Sequence, residues 1–146
     1  MNVRVVSRIA INAPLKEVFR YVEDSNYHLL WNPHLQSIDA HGRLKKGTKY
    51  HTTSMLLGVK VRSDNKVTQF EPNEVIEISN QTGPLHYTVH YQFIVSEQTT
   101  MVHCTTIVDT DTKAFGFTKP VMKLLAQREL RSDLQALKIA VEQQLQ

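Results

Sequence analysis

The sequence predicts an α+β fold in which one long C-terminal helix lies across one curved antiparallel sheet. Three observations predict it: a first strand followed by two short helices, six further strands at regular spacing, and a closing amphipathic stretch. From about Lys119 to Leu145, residues Met122, Ala126, Leu130, Leu134, Leu137, Val141 and Leu145 recur at three- and four-residue steps. That spacing puts them on one helix face. Lys123, Arg128, Arg131, Asp133, Lys138 and Glu142 fall mostly away from the stripe. Such a helix cannot bury its stripe alone, so it must lie on the sheet.

In chain order, Val3 to Ile11 reads as a strand with Val3, Val5, Ile9 and Ile11 on one face. Asn12-Ala13-Pro14 signals a helix start, since Asn caps and Pro is tolerated in the first turn. Leu15, Val18, Phe19 and Val22 supply that helix with its apolar face. A second short helix covers Ser25 to Leu30 and is ended by Trp31-Asn32-Pro33. The remaining strands are Leu35 to His41, Lys49 to Met55, Val59 to Phe70, Val75 to Asn80, Leu85 to Val95 and Met101 to Val108. Turns at Gly47, Leu57-Gly58, Glu71 to Glu74, Gly83-Pro84 and Glu97 to Thr100 separate them, the pattern of a meander.

Composition sets the class. At 146 residues the chain fits one domain, 1–146, long enough for a real core. With 41% hydrophobic and 21% charged residues it has the make-up of an ordinary soluble protein. No apolar run nears the roughly 18 residues of a membrane span. Arg4 and Arg8 interrupt the N-terminal apolar residues, which argues against a signal peptide. The single cysteine, Cys104, allows no internal disulfide and suits a reducing compartment, so a cytoplasmic location is expected. A net charge of +3 permits an anionic ligand without implying one.

Several segments then carry a family resemblance. They are Ala13-Pro14-Leu15-Lys16-Glu17-Val18-Phe19 after the first strand, Trp31-Asn32-Pro33, Lys46-Gly47-Thr48, Phe70-Glu71-Pro72, and Asp133-Leu134-Gln135-Ala136-Leu137-Lys138. In these the chain resembles the helix-grip domains of the SRPBCC or START-like superfamily, which includes the polyketide cyclase and dehydrase-like proteins. The resemblance covers nearly the whole chain and is specific for fold rather than activity. It implies a seven-stranded curved antiparallel sheet wrapped around the long C-terminal helix, with a hydrophobic ligand cavity between them.

Strand alternation indicates which residues face that interior. Leu85, Tyr87, Val89, Tyr91, Phe93 and Val95 share one face; Tyr50, Thr52 and Ser54 face inward because Lys49 belongs in water. On the next strand Val59, Val61, Ser63, Asn65 and Val67 form the inner set. The expected lining is Trp31, Tyr50, Thr52, Ser54, Val61, Ser63, Tyr87, Val89, Tyr91, Phe93, Phe117, Met122, Ala126 and Leu130. Alternation by itself does not distinguish a filled interior from a hollow one. Trp31 reads either as a cap on the cavity or as a plug seating the short helices, and Phe115-Gly116-Phe117 either as a gate or as an anchor.

Catalytic constellations mostly fail on geometry. His103 and Cys104 are neighbours on a strand and point to opposite faces. His86 and His90 share a face but stand about 13 Å apart, too far for one metal. Asp109 and Asp111 read as a solvated turn. His28 and His34, flanking Trp31, are the remaining acid–base candidates. No nucleophile elbow, phosphate loop, dinucleotide fingerprint or zinc cluster is present, so no cofactor or metal is expected. Lys45, Lys46, Lys49, Lys60, Arg62 and Lys66 make a basic face without aromatic platforms, which argues against nucleic acid. The expected function is binding or transport of a small hydrophobic molecule, a lipid or an aromatic or polyketide-like metabolite, by a monomer or homodimer without stable membrane insertion. The alternatives are a polyketide cyclase or dehydratase-like enzyme, with Tyr50, Tyr87 or Tyr91 orienting a reactive chain and Arg128 meeting an anionic group, and a protein-interaction module.

Overall fold

Period-two alternation over most of the chain becomes one seven-stranded antiparallel sheet. The computed structural model describes residues 2–56, 58–80, 85–110 and 118–144. The strands are β1 (Asn2–Ile11), β2 (Leu35–Ile38), β3 (Lys49–Leu56), β4 (Val59–Glu71), β5 (Val75–Asn80), β6 (Leu85–Ser96) and β7 (Thr99–Thr110). Between β1 and β2 come α1 (Leu15–Glu23), a 3₁₀ turn (Ser25–Tyr27) and α2 (His28–Trp31), and α3 (Lys119–Gln144) follows the last strand. The order across the sheet is β1-β7-β6-β5-β4-β3-β2. Strands β2 to β7 thus form the meander, and β1 joins beyond β7, with α1 and α2 carrying the chain from one edge to the other. This is the expected helix-grip arrangement.

Register breaks between Leu35 and Ser37 and between Val67 and Gln69 bend the sheet. The second break also changes which side chains point inward. Val61, Ser63, Asn65 and Val67 are buried, and after the break Phe70 turns in to meet Phe19 edge-on at 5.7 Å. At Gly47, φ is +91°, a conformation that favours glycine. Its N–H donates to the Val67 carbonyl at 2.8 Å, which ties the entry of β3 to β4.

The C-terminal end of α1 shows how the crossover is held. The last four carbonyls of a helix lack partners inside it. Here the Arg20 carbonyl accepts from Asp24 N–H at 2.9 Å, Tyr21 from the Trp31 indole at 2.8 Å, Val22 from His28 Nε2–H at 2.7 Å, and Glu23 from Leu44 N–H at 2.7 Å. Three of the four donors come from beyond the 3₁₀ turn, so α2 and the loop around Leu44 dock on the end of α1. At the other end, Pro14 rather than Asn12 caps the helix, and the Asn12 N–H instead donates to Glu142 at 3.3 Å.

Helix α3 lies against β1, β7, α1 and α2. Met122, Ala126, Leu130, Leu134, Leu137 and Val141 are all buried, as the three- and four-residue spacing requires. Gln127 donates to the Val6 carbonyl at 3.0 Å and Lys138 to the Ala10 carbonyl at 2.9 Å. Since β1 is an edge strand, these side chains occupy carbonyls that would otherwise be open to another strand.

Some expectations are corrected. Val59 and Val95 are 38% and 52% exposed, because each sits beside a hairpin tip beyond the packed part of the sheet. Strand β2 ends at Ile38 rather than His41, and β7 extends from Thr99 to Thr110. Asp133 does not lie away from the buried face of α3, as described below. Leu145, Asp111, Phe115, Gly116 and Phe117 lie outside the described residues. Leu134 is 1% exposed and Leu124 59% exposed on the same helix. Leu134→Ala is expected to cost about 2–5 kcal/mol in urea unfolding and Leu124→Ala less than about 0.5. Equal losses would mean that the stripe does not seat the helix.

Candidate functional site

Beneath the first half of α3 the inward side chains do not fill the space between helix and sheet. Ala126 is the smallest residue of the buried stripe, where a larger side chain would occupy the gap. Two adjoining lobes of about 80 and about 120 Å³ result, sharing Asn32, Ser54, Tyr87, Val89 and Tyr91 in their walls. A cavity of about 150 Å³ is enough for a benzene ring. The first lobe lies toward α2 and is bordered also by Val22, His28, Trp31, Leu35, Tyr50, Thr52, Asn65 and Ile78. The second lies toward α3 and adds Thr106, Val108, Ala126, Glu129, Leu130 and Asp133.

Of the residues expected to line an interior cavity, Trp31, Tyr50, Thr52, Ser54, Tyr87, Val89, Tyr91, Ala126 and Leu130 border this hollow. Val61, Ser63, Phe93 and Met122 are buried but do not border it. Phe93, for example, packs its ring against Phe19 at 5.0 Å. Alternation reports which face is inward, and an inward residue can meet packing atoms as readily as open space. Phe117 lies outside the described residues.

Neighbouring strands place the polar groups of the first lobe. Asn65 stands opposite Tyr50, and Thr52 opposite Ser63. Asn65 Nδ2 donates to Thr52 Oγ1 at 2.9 Å, and the Tyr87 hydroxyl donates to Asn65 Oδ1 at 3.2 Å. Burial raises the pKa of Tyr50, Tyr87 and Tyr91, so all three are neutral phenols at physiological pH.

Trp31 both plugs and lines. Its indole N–H is anchored on the Tyr21 carbonyl, while its ring borders the first lobe and meets Tyr91 edge-on at 6.2 Å. His28 is buried against the Trp31 ring, and burial lowers its pKa. The neutral ring spends its Nε2 proton on the Val22 carbonyl, a structural bond for one of the two candidate acid–base histidines. His34 also has its pKa lowered by burial and borders neither lobe. Arg128, assigned to an anionic group only in the alternative cyclase reading, is exposed and borders neither lobe.

Asp133 is the residue that the sequence reading missed. Its Oδ1 is buried and has no hydrogen-bond partner, and the residue borders the second lobe. Burial, with a smaller contribution from Glu129 one turn earlier, pushes its pKa from 3.8 to about 8. The charge effects of Asp133 reach Tyr87, Tyr91 and Cys104, the thiol of which is itself held protonated by burial. A spacing signal was present. Asp133 stands three residues after Leu130, seven after Ala126 and four before Leu137, all members of the inward stripe. A larger, open depression of about 590 Å³ at β2 to β4 contains His51. That imidazole meets Asp39 at 2.8 Å and Asp64 at 3.1 Å across exposed side chains.

The description "polyketide cyclase / dehydrase and lipid transport" belongs to a family model that matches residues 2–142. The chain belongs to this family. Solved structures share this architecture. TTHA0849 from Thermus thermophilus is 21% identical, covers 97% of each chain and superposes with a TM-score of 0.81. A START superfamily protein from Mycobacterium smegmatis is 18% identical over 96% of this chain and 97% of its own, at 0.81. The Zhui aromatase/cyclase from Streptomyces sp. R1128 is 14% identical over 100% and 97%, at 0.83. At these identities the likeness is one of fold. No curated protein matches the chain.

The Asp133 shift makes stability depend on pH in a definite sense. The unfolded carboxyl ionises near its ordinary 3.8, and the folded one only near 8. Its contribution to stability is therefore greatest in acid, declines as pH rises between these values and levels off above about 8. Asp133→Asn should remove this decline and raise unfolding free energy at about pH 8 by roughly 2–4 kcal/mol. Denaturant titrations at about pH 4 and pH 8 check this. An unchanged slope in the variant would mean that the pH dependence arises elsewhere.

Proposed function

We propose that this family member binds a small, ring-bearing, mainly apolar molecule in the hollow between the sheet and α3. The observation that carries the reading is the two-lobed hollow itself, in which aromatic walls meet a few convergent polar groups. The lobes suit a molecule of one or two rings better than an extended acyl chain. In support, among the described helices none is long and apolar enough to cross a membrane, so the buried stripe of α3 serves the interior. Native mass spectrometry of freshly purified protein is expected to show a stoichiometric small molecule. Binding of 2-acetylnaphthalene should be lost on Ala126→Phe, which fills the second lobe. Tyr91→Ala should weaken it by ~10-fold, about 1.4 kcal/mol. His90→Ala should change it by less than ~2-fold, since His90 faces away and pairs with Glu77 at 2.8 Å. Absence of both a co-purified molecule and probe binding would overturn the reading.

A second reading, a cyclase or dehydratase-like activity, shares the site and is favoured by Asp133 beside Tyr87 and Tyr91. Ring closure of a polyketone followed by loss of water needs a proton delivered to a carbonyl or hydroxyl oxygen. A carboxyl that stays neutral at pH 7 can deliver it. Turnover of a linear poly-β-ketone thioester, abolished by Asp133→Asn with folding intact, supports this reading; binding without turnover supports the first.

A further inference from the structure

The walls of the hollow also select for charge. The chain has 17 Lys and Arg against 14 Asp and Glu. Among the described residues bordering the hollow there is no Lys or Arg, and the two acidic side chains there are Glu129 and Asp133. His28 is kept neutral and bonded to Val22. A carboxylate or phosphate entering this space would lose its hydration and find no cation, a cost that buried anions do not recover. Meanwhile Asp133 Oδ1 is buried and unpartnered, and Asp133 is one of the residues that border the second lobe. An orphaned buried polar atom in an otherwise ordered wall calls for a partner.

Resting on the reading of the hollow as a ligand site, we propose that it takes an uncharged ring-bearing ligand whose carbonyl oxygen accepts a hydrogen bond from the Asp133 carboxyl, and that it rejects fatty acids and other anionic lipids. The groups facing Asp133 agree with this. Glu129 on its own helix, Tyr87 and Tyr91 on β6 and Cys104 on β7 are acids, and each disfavours a second negative charge. An ammonium ligand would have to ionise Asp133 inside the core, and burying both partners costs more than their attraction returns in most geometries.

Four probes of one skeleton separate the possibilities: 2-acetylnaphthalene, 2-ethylnaphthalene, 2-naphthoate and 2-(aminomethyl)naphthalene. At about pH 6 the ketone should bind ~10-fold tighter than the ethyl compound, which lacks the acceptor, and at least ~50-fold tighter than naphthoate. Its affinity should fall ~10-fold on raising the pH through about 8, where the carboxyl loses its proton. Asp133→Asn keeps a donor and should flatten that pH response. Asp133→Leu should bring the ketone down to the level of the ethyl compound, whose own binding shows that the variant is folded. Equal binding of the ketone and ethyl probes overturns the Asp133 hydrogen bond, and tightest binding of naphthoate or the amine overturns the charge selection, each while leaving the site standing. Failure of all four probes overturns the site and the selection together.

Discussion

The contact between the apolar face of α3 and the sheet is the interaction on which the other features depend. Six residues of that face are buried, and they close the core over β1 and β7. The same helix satisfies backbone groups along the edge of β1, through Gln127 on Val6, Lys138 on Ala10 and Glu142 on Asn12. Hydrophobic seating holds the helix down, and these polar contacts fix it along β1. The hollow exists because one residue in this otherwise bulky stripe, Ala126, leaves space that its neighbours do not close.

A second constraint comes from Asp133. A leucine at that position would extend the stripe and remove a buried carboxyl that favours its protonated form. The acid therefore weakens the fold at neutral pH in the region where the packing is already incomplete. A destabilising polar residue beside a cavity is where chemistry rather than packing explains the choice of side chain. This is why Asp133, more than the tyrosines, marks the second lobe as a candidate site.

The opposite wall is built differently. There α2 is short, and it is held by the end of α1, where Trp31 and His28 occupy carbonyls that a helix terminus cannot satisfy itself. That anchoring commits the polar edges of both rings to structure and leaves their faces for the first lobe. His28 thus serves as a packing and hydrogen-bonding group, and the carboxyl group of the hollow comes from α3.

Sequence alone determined the order of elements, the seven strands and the stripe of α3, because these rest on local periodicity and on turn residues such as Gly47. It also determined which way most strands face, Tyr50, Thr52, Tyr87 and Tyr91 included, since every second side chain points to the same side. It did not reveal that Phe93 packs against Phe19 while Tyr91 meets open space, although both share one face. Nor did it separate Asp133 from the solvated charges of α3, because its charge argues for water although its spacing matches the stripe. Those outcomes were decided by the tertiary structure. Whether an inward side chain meets atoms or a hollow depends on what the facing element presents, and in this chain that is set by the seating of α3 and α2 against strands distant in sequence.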